Sequence, residues 1–307
     1  MNGAPRLSKS AASGLVLVVA ALGLDIPAAS THSAAPPAPG AHAARPRVDE
    51  FVFRSEVFGN TRTIRVLLPP GYDDPKSTPT RYPVMYFTDG VAVFAPPGRN
   101  LPAVAEELWE ANALPRLILI GVDNGACTRE STNPLADRAS EYLPYQDQSW
   151  DEPRPEARGG RFPAFLIDEV MPEVARRYRV ATGAGSTGLG GSSYGAIAAL
   201  HAVLQRPGVF GRVLIESPSL HIGSGAMLRD AADARAWPAR IALGVGTAEG
   251  DTPDTRLNMV DDCLRLRDTI RADPRVSLQV TIEPGAEHGE PAWRGRLPGA
   301  LSWLWAE

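Results

Sequence analysis

The sequence predicts an α/β protein built on one mostly parallel central sheet with helices on both faces. Three observations predict it. Two β-rich runs near residue 50 give way to regular alternation of strands and helices along the rest of the chain. The runs 82–87 and 116–122 are short and unbrokenly apolar, as strands buried on both faces are. Between a short strand and a helix-forming run lies a turn dense in glycine and serine, 188–195.

In chain order, 51–53 and 61–68 are the opening strands, joined by Phe58-Gly59-Asn60-Thr61 in a hairpin-like connection. Pro69-Pro70-Gly71 stops the second. The strand 82–87 ends in Thr88-Asp89-Gly90, a helix follows at 103–113, and 116–122 is the next strand. Segment 123–160 is rich in Pro, Arg and acidic residues, and a loop of that size in a compact domain is more often functional than idle. Beyond it come a helix around 165–178, a short strand at 186–189, and the helix-forming run 196–204, ended by Arg206-Pro207-Gly208. Strands at 209–216, 241–246 and 276–282 alternate with helices at 255–271 and 292–305.

The turn holds Gly191-Ser192-Ser193-Tyr194-Gly195, a Gly-x-Ser-x-Gly pattern. Strand, sharp turn and helix in this order suit a nucleophile elbow, in which the serine sits in a strained backbone conformation. Residues two before and two after that serine crowd each other and must be small. Gly191 and Gly195 meet this around Ser193, whereas centring on Ser192 would put Tyr194 at a flank. Ser193 is the expected nucleophile.

Composition sets the surroundings. The chain has 307 residues, 44% of them hydrophobic, and a formal net charge of −4, with no basic patch. Nucleic acid and anionic membrane are therefore poor partners. Arg6 and Lys9 precede an apolar run, 14–24, then small residues and Pro36-Pro37-Ala38-Pro39. That is the order of a signal peptide, with candidate cleavage after Ala29 or Ala43, and the run is too short to span a bilayer. Residues 1–43 read as an export segment, 44–48 as linker and 49–307 as the folded domain, exported and without stable membrane insertion once cleaved. Cys127 and Cys263 are the two cysteines, and the sequence leaves open whether they pair.

A serine hydroxyl needs a base within hydrogen-bond reach. Of five histidines, His32 and His42 fall in the export segment and linker, and His201 lies well inside the elbow helix. Triads built on such an elbow run serine, acid, histidine along the chain, with the histidine after the last strand. His288 holds that place, and His221 is expected to line the same mouth. Glu249 is the first carboxylate after strand 241–246, with Asp251 and Asp254 as rivals, and its task is to hold the imidazole tautomer. The backbone N–H groups of Tyr194 and of Val91, next to Gly90, are the expected oxyanion donors, and Asp89 is structural. Neither ligand-spaced Cys or His pairs nor a phosphate-loop lysine occurs, so no metal or cofactor is expected.

At these residues the chain resembles an esterase branch of the α/β hydrolases that includes enterochelin esterases, feruloyl esterases, S-formylglutathione hydrolases and secreted mycolyltransferases. The resemblance rests on 82–90, Arg138-Ala139-Ser140-Glu141-Tyr142-Leu143-Pro144, 190–195, Glu216-Ser217-Pro218-Ser219 and 285–293. It implies an α/β-hydrolase fold, with nucleophile, histidine and acid at Ser193, His288 and Glu249 and the second oxyanion donor just after Asp89-Gly90. Its Arg138, Glu141 and Pro144 pattern looks most like the enterochelin-esterase side. The expected activity is hydrolysis of a carboxylic ester, a small molecule, through an acyl-enzyme. Acyl transfer to an alcohol on the same triad and a non-catalytic binding role are the alternatives. Arg129, Arg138, Tyr142, Tyr145 and Trp150 in the long segment suit an aromatic or siderophore-type ester, with Arg138 and Tyr142 as substrate contacts.

Overall fold

A computed structural model describes residues 45–128, 131–250 and 253–306. Eight strands form one sheet in the order β1-β2-β4-β3-β5-β6-β7-β8. They are β1 (Arg47–Arg54), β2 (Thr61–Leu68), β3 (Val84–Thr88), β4 (Ile118–Val122), β5 (Thr187–Ser192), β6 (Arg212–Glu216), β7 (Arg240–Gly246) and β8 (Ser277–Glu283). β1 pairs antiparallel with β2, and β2 antiparallel with β4; every later pairing is parallel. The mostly parallel sheet covered on both faces that the alternation predicts is what the chain adopts, in the α/β-hydrolase arrangement that the resemblance implies. β1 begins at Arg47, inside the stretch read as linker, because residues 47–54 pair along their whole length with 61–68. The export segment lies outside the described residues.

Period-two alternation divides the sheet's side chains between two cores. Val84 and Tyr86 of β3 face one layer with Ile118 and Ile120, while Met85 and Phe87 face the other with Leu119. The second layer is covered by α1 (Gly90–Phe94), α2 (Leu101–Glu110) and α8 (Glu290–Trp305). The first is covered by α3 (Pro134–Tyr142), α4 (Met171–Arg177), α5 (Tyr194–Gln205), α6 (Ile222–Ala232) and α7 (Pro253–Arg271). A π-helical stretch, Ala164–Val170, leads into α4 and replaces the first half of the single helix expected at 165–178.

The segment 123–160 is not a bare loop, since it contains α3. Asn133 caps that helix through its Oδ1, which accepts from the Ala136 N–H at 3.3 Å, and Pro134 fills the first turn. α6 was not expected either; its first turn is broken by Gly223, Ser224 and Gly225, all at positive φ. Both thiols are free, Cys263 on the inward side of α7 and Cys127 at the surface, so the pairing left open by the sequence is not made. No described helix is long and apolar enough to cross a membrane.

Candidate active site

β5 delivers the chain to Ser193, whose φ of 57° and ψ of −126° lie where a side chain is rarely tolerated. Such a residue carries strain of about 1–3 kcal/mol and persists only where its surroundings fix it. Here they do. A Cβ on Gly191 would run into the Gly195 carbonyl, and one on Gly195 would meet the Thr88 hydroxyl and the Asp89 carboxylate. The Ser193 N–H donates to the Glu216 carbonyl at 2.9 Å, tying the elbow to the end of β6. The result is a nearly buried hydroxyl at the N-terminus of α5.

His288 Nε2 lies 2.9 Å from Ser193 Oγ, and its Nδ1 lies 2.9 Å from Glu249 Oε2. The loop after β8 supplies the histidine and the turn after β7 the carboxylate, so three segments distant in sequence meet above the sheet's C-terminal edge. Asp251 and the side chain of Asp254 lie outside the described residues. Glu249 is fully buried. Burial favours its neutral form, yet hydrogen bonds from His288, Ser217 and the Gly246 N–H outweigh this and hold its pKa below the ordinary glutamate value.

The Tyr194 N–H opens α5 beside Ser193, where helix geometry gives it no intrahelical acceptor. Val91 lies in the first turn of α1, just after Asp89, which adopts a left-handed conformation with φ 58°. Burial raises the pKa of the nearby Asp123 carboxyl above the ordinary aspartate value, and the Val91 N–H is among the groups that oppose the rise. Ser219 Oγ stands 3.5 Å from Ser193 Oγ. Two residues on, His221 is exposed and lines a cavity of about 510 Å³ with Leu228, Arg229, Asp262 and Arg265.

Arg138 and Tyr142, expected to face the substrate, face Asp89 instead. Arg138 grips its carboxylate with Nε and Nη2 at 2.7 and 2.8 Å and reaches the Ser192 carbonyl at 3.3 Å. The Asp89 N–H donates to the Tyr142 hydroxyl at 2.9 Å, and Asn124 Nδ2 donates to Asp89 Oδ1 at 2.7 Å. Asp89 is a buried anion on the loop that carries Val91, and a buried anion needs such partners. Tyr145 is likewise engaged with Asp230, and Arg129 lies outside the described residues. The Tyr194 hydroxyl donates to Asp147 at 2.6 Å, fastening the long segment to the elbow helix.

Charged residues that sequence reasoning missed lie underneath. Arg99, 1% exposed, donates to Ser192 Oγ at 2.8 Å and pairs with Glu290 at 3.1 Å. Arg296 pairs with Glu216 and Glu283, both at 2.8 Å. Burial pushes the Glu216 carboxyl up to about 7 despite that partner. Ordinary charge patterning would place such residues on solvated faces.

The chain matches the family described as Putative esterase over residues 55–304, which spans the whole site. It belongs to this esterase family. The uncharacterized protein YbbA of Bacillus subtilis is 22% identical over 258 residues, covering 82% of this chain and 96% of that protein. A siderophore enterobactin esterase of Emericella nidulans is 33% identical over 99 residues, 32% of each chain. Among solved structures, the siderophore hydrolase EstB from Aspergillus nidulans superposes with a TM-score of 0.67 at 18% identity, covering 90% of this esterase and 97% of that chain. The protein is a carboxylic ester hydrolase.

Proposed function

We propose that this esterase works through Ser193, His288 and Glu249 by way of an acyl-enzyme. The observation that carries the reading is the unbroken chain of contacts, Ser193 Oγ to His288 Nε2 and His288 Nδ1 to Glu249, each 2.9 Å. Ser193 Oγ attacks the ester carbonyl while His288 Nε2 takes its proton; Glu249 keeps the ring's other proton on Nδ1 and stabilises the imidazolium. The tetrahedral oxyanion is received by the Tyr194 N–H and by the Val91 N–H. His288 then gives its proton to the leaving alcohol, and water repeats the sequence on the acyl-enzyme.

The substrate is an aromatic or siderophore-type ester. A siderophore enterobactin esterase and a siderophore hydrolase are among the similar proteins, and the cavity that His221 lines two residues beyond Ser219 carries Arg229 and Arg265 alongside Asp262, polar groups suited to an oxygen-rich ligand. Export is proposed from the order of charge, apolar run and small residues in 1–43. Labelling with a fluorophosphonate tests the nucleophile. Wild type and Ser192→Ala should label and Ser193→Ala should not, with ester turnover in Ser193→Ala reduced to the residual rate of the oxyanion hole. Labelling that survives in Ser193→Ala would end the assignment.

A further inference from the structure

Ser217 follows β6 with φ at 46°, a conformation a serine adopts only where it is held. Its fully buried hydroxyl donates to Glu249 Oε1 at 2.5 Å and accepts from Trp293 Nε1 at 2.8 Å and Arg296 Nη2 at 3.2 Å. One donor and two acceptor positions are all a serine hydroxyl has, and all are used. Glu249 Oε1 receives a second bond from the Gly246 N–H at 2.7 Å, which leaves Oε2 for His288. Trp293 sets its indole edge-to-face with the His288 ring, centroids 5.1 Å apart and planes at 85°. Trp293 and Arg296 are three residues apart on α8 and so share a face. Arg296 is in turn fixed by Glu216 and stands 3.6 Å from Glu249 Oε1.

We propose that Ser217, Trp293 and Arg296, with Glu216 anchoring Arg296, form one positioning unit for the acid and base, so that the closing helix holds the catalytic geometry. This rests on the reading of Glu249 and His288 as acid and base. The unit acts in two ways. Ser217 and Trp293 remove rotational freedom from the carboxylate and the imidazole. The Arg296 cation, held in place by Glu216, stands close enough to Glu249 to favour its ionised form. Among the described residues, further charged or titratable groups near the unit include Arg99 ahead of α2, Glu283 at the end of β8 and Cys263 and Asp262 on α7.

The test is steady-state kinetics on the whole enzyme with a p-nitrophenyl ester from about pH 5 to 9, with active sites counted by fluorophosphonate. Ser217→Ala and Trp293→Phe should each lower kcat per labelled site by about tenfold while KM stays within about twofold. Arg296→Gln removes both a donor to Ser217 and the cation beside Glu249, and should lower kcat by a similar factor with KM again little changed. Ser217→Ala within about twofold of wild type in kcat, or a loss carried by KM instead, overturns the proposal. Ser217→Ala keeps every charge in place and so decides the matter even where a charge variant does not fold. Failure of the underlying triad looks different, because Ser193→Ala would then still label.

Discussion

Arg138 shows how one residue can carry a family-like motif and still serve an unexpected end. Its neighbours along the chain suggest a recognition loop, yet its guanidinium is spent on Asp89 and the Ser192 carbonyl, beneath the reacting atoms. Removing it strands a buried carboxylate, which typically costs about 3 kcal/mol or more. Arg138→Ala should therefore lower kcat/KM for p-nitrophenyl acetate as much as for a bulky aromatic ester, and lower the melting temperature as well. Parallel kinetics on the two esters checks this. A loss confined to the bulky ester, with unchanged melting, would return Arg138 to substrate recognition.

At the scale of elements, the elbow was legible because sterics dictate its composition, and the tightest contacts are between backbone atoms. The Cβ absent from Gly191 would strike the Gly195 carbonyl, which cannot move without unwinding α5; that absent from Gly195 would strike side chains of Thr88 and Asp89. Gly191→Ala should thus cost about 3 kcal/mol and abolish fluorophosphonate labelling, with Gly195→Ala milder and Gly185→Ala, which faces open space, neutral. Chemical denaturation of the three variants gives the ranking. Gly188 and Gly190 misled in the other direction. The short strand read at 186–189 stops too early, for β5 runs on to Ser192, and Gly188 and Gly190 are glycines within it because Cβ atoms there would press Met85, Trp305 and Phe87. α3 could have been read from Asn133-Pro134, an N-cap followed by proline. α6 could not, because its Gly223-Ser224-Gly225 start has no helical φ and ψ. The places of 193, 249 and 288 just beyond strand ends follow from local patterns, whereas the pairing of Arg296 with Glu216 spans 80 residues and leaves no local trace.

Across the whole molecule, buried charge is concentrated where the sheet's strands end and the site begins, and Glu216 lies at its centre. It closes β6, is 3% exposed, and leaves room beside it only because Gly244 on β7 has no side chain. Desolvation raises its pKa from 4.5 to about 7, with Arg296 opposing the rise. The folded state therefore binds this proton more tightly than the unfolded chain does. Its contribution to stability is fully present below about pH 4.5 and is lost as pH rises toward 7, after which it stays flat. Asp89 and Glu249 run the other way: their lowered pKa values add stability that is present above the ordinary carboxylate range and lost as pH falls below it. The wild-type curve sums these, so only a difference isolates Glu216. The stability of wild type relative to Glu216→Gln should decline by about 3 kcal/mol at most between pH 4.5 and 7 and be constant above that window. Urea unfolding of both proteins across the window measures it. A difference that grows with pH would mean that Arg296 holds Glu216 ionised throughout, and the carboxylate would then be a fixed charge beneath the site.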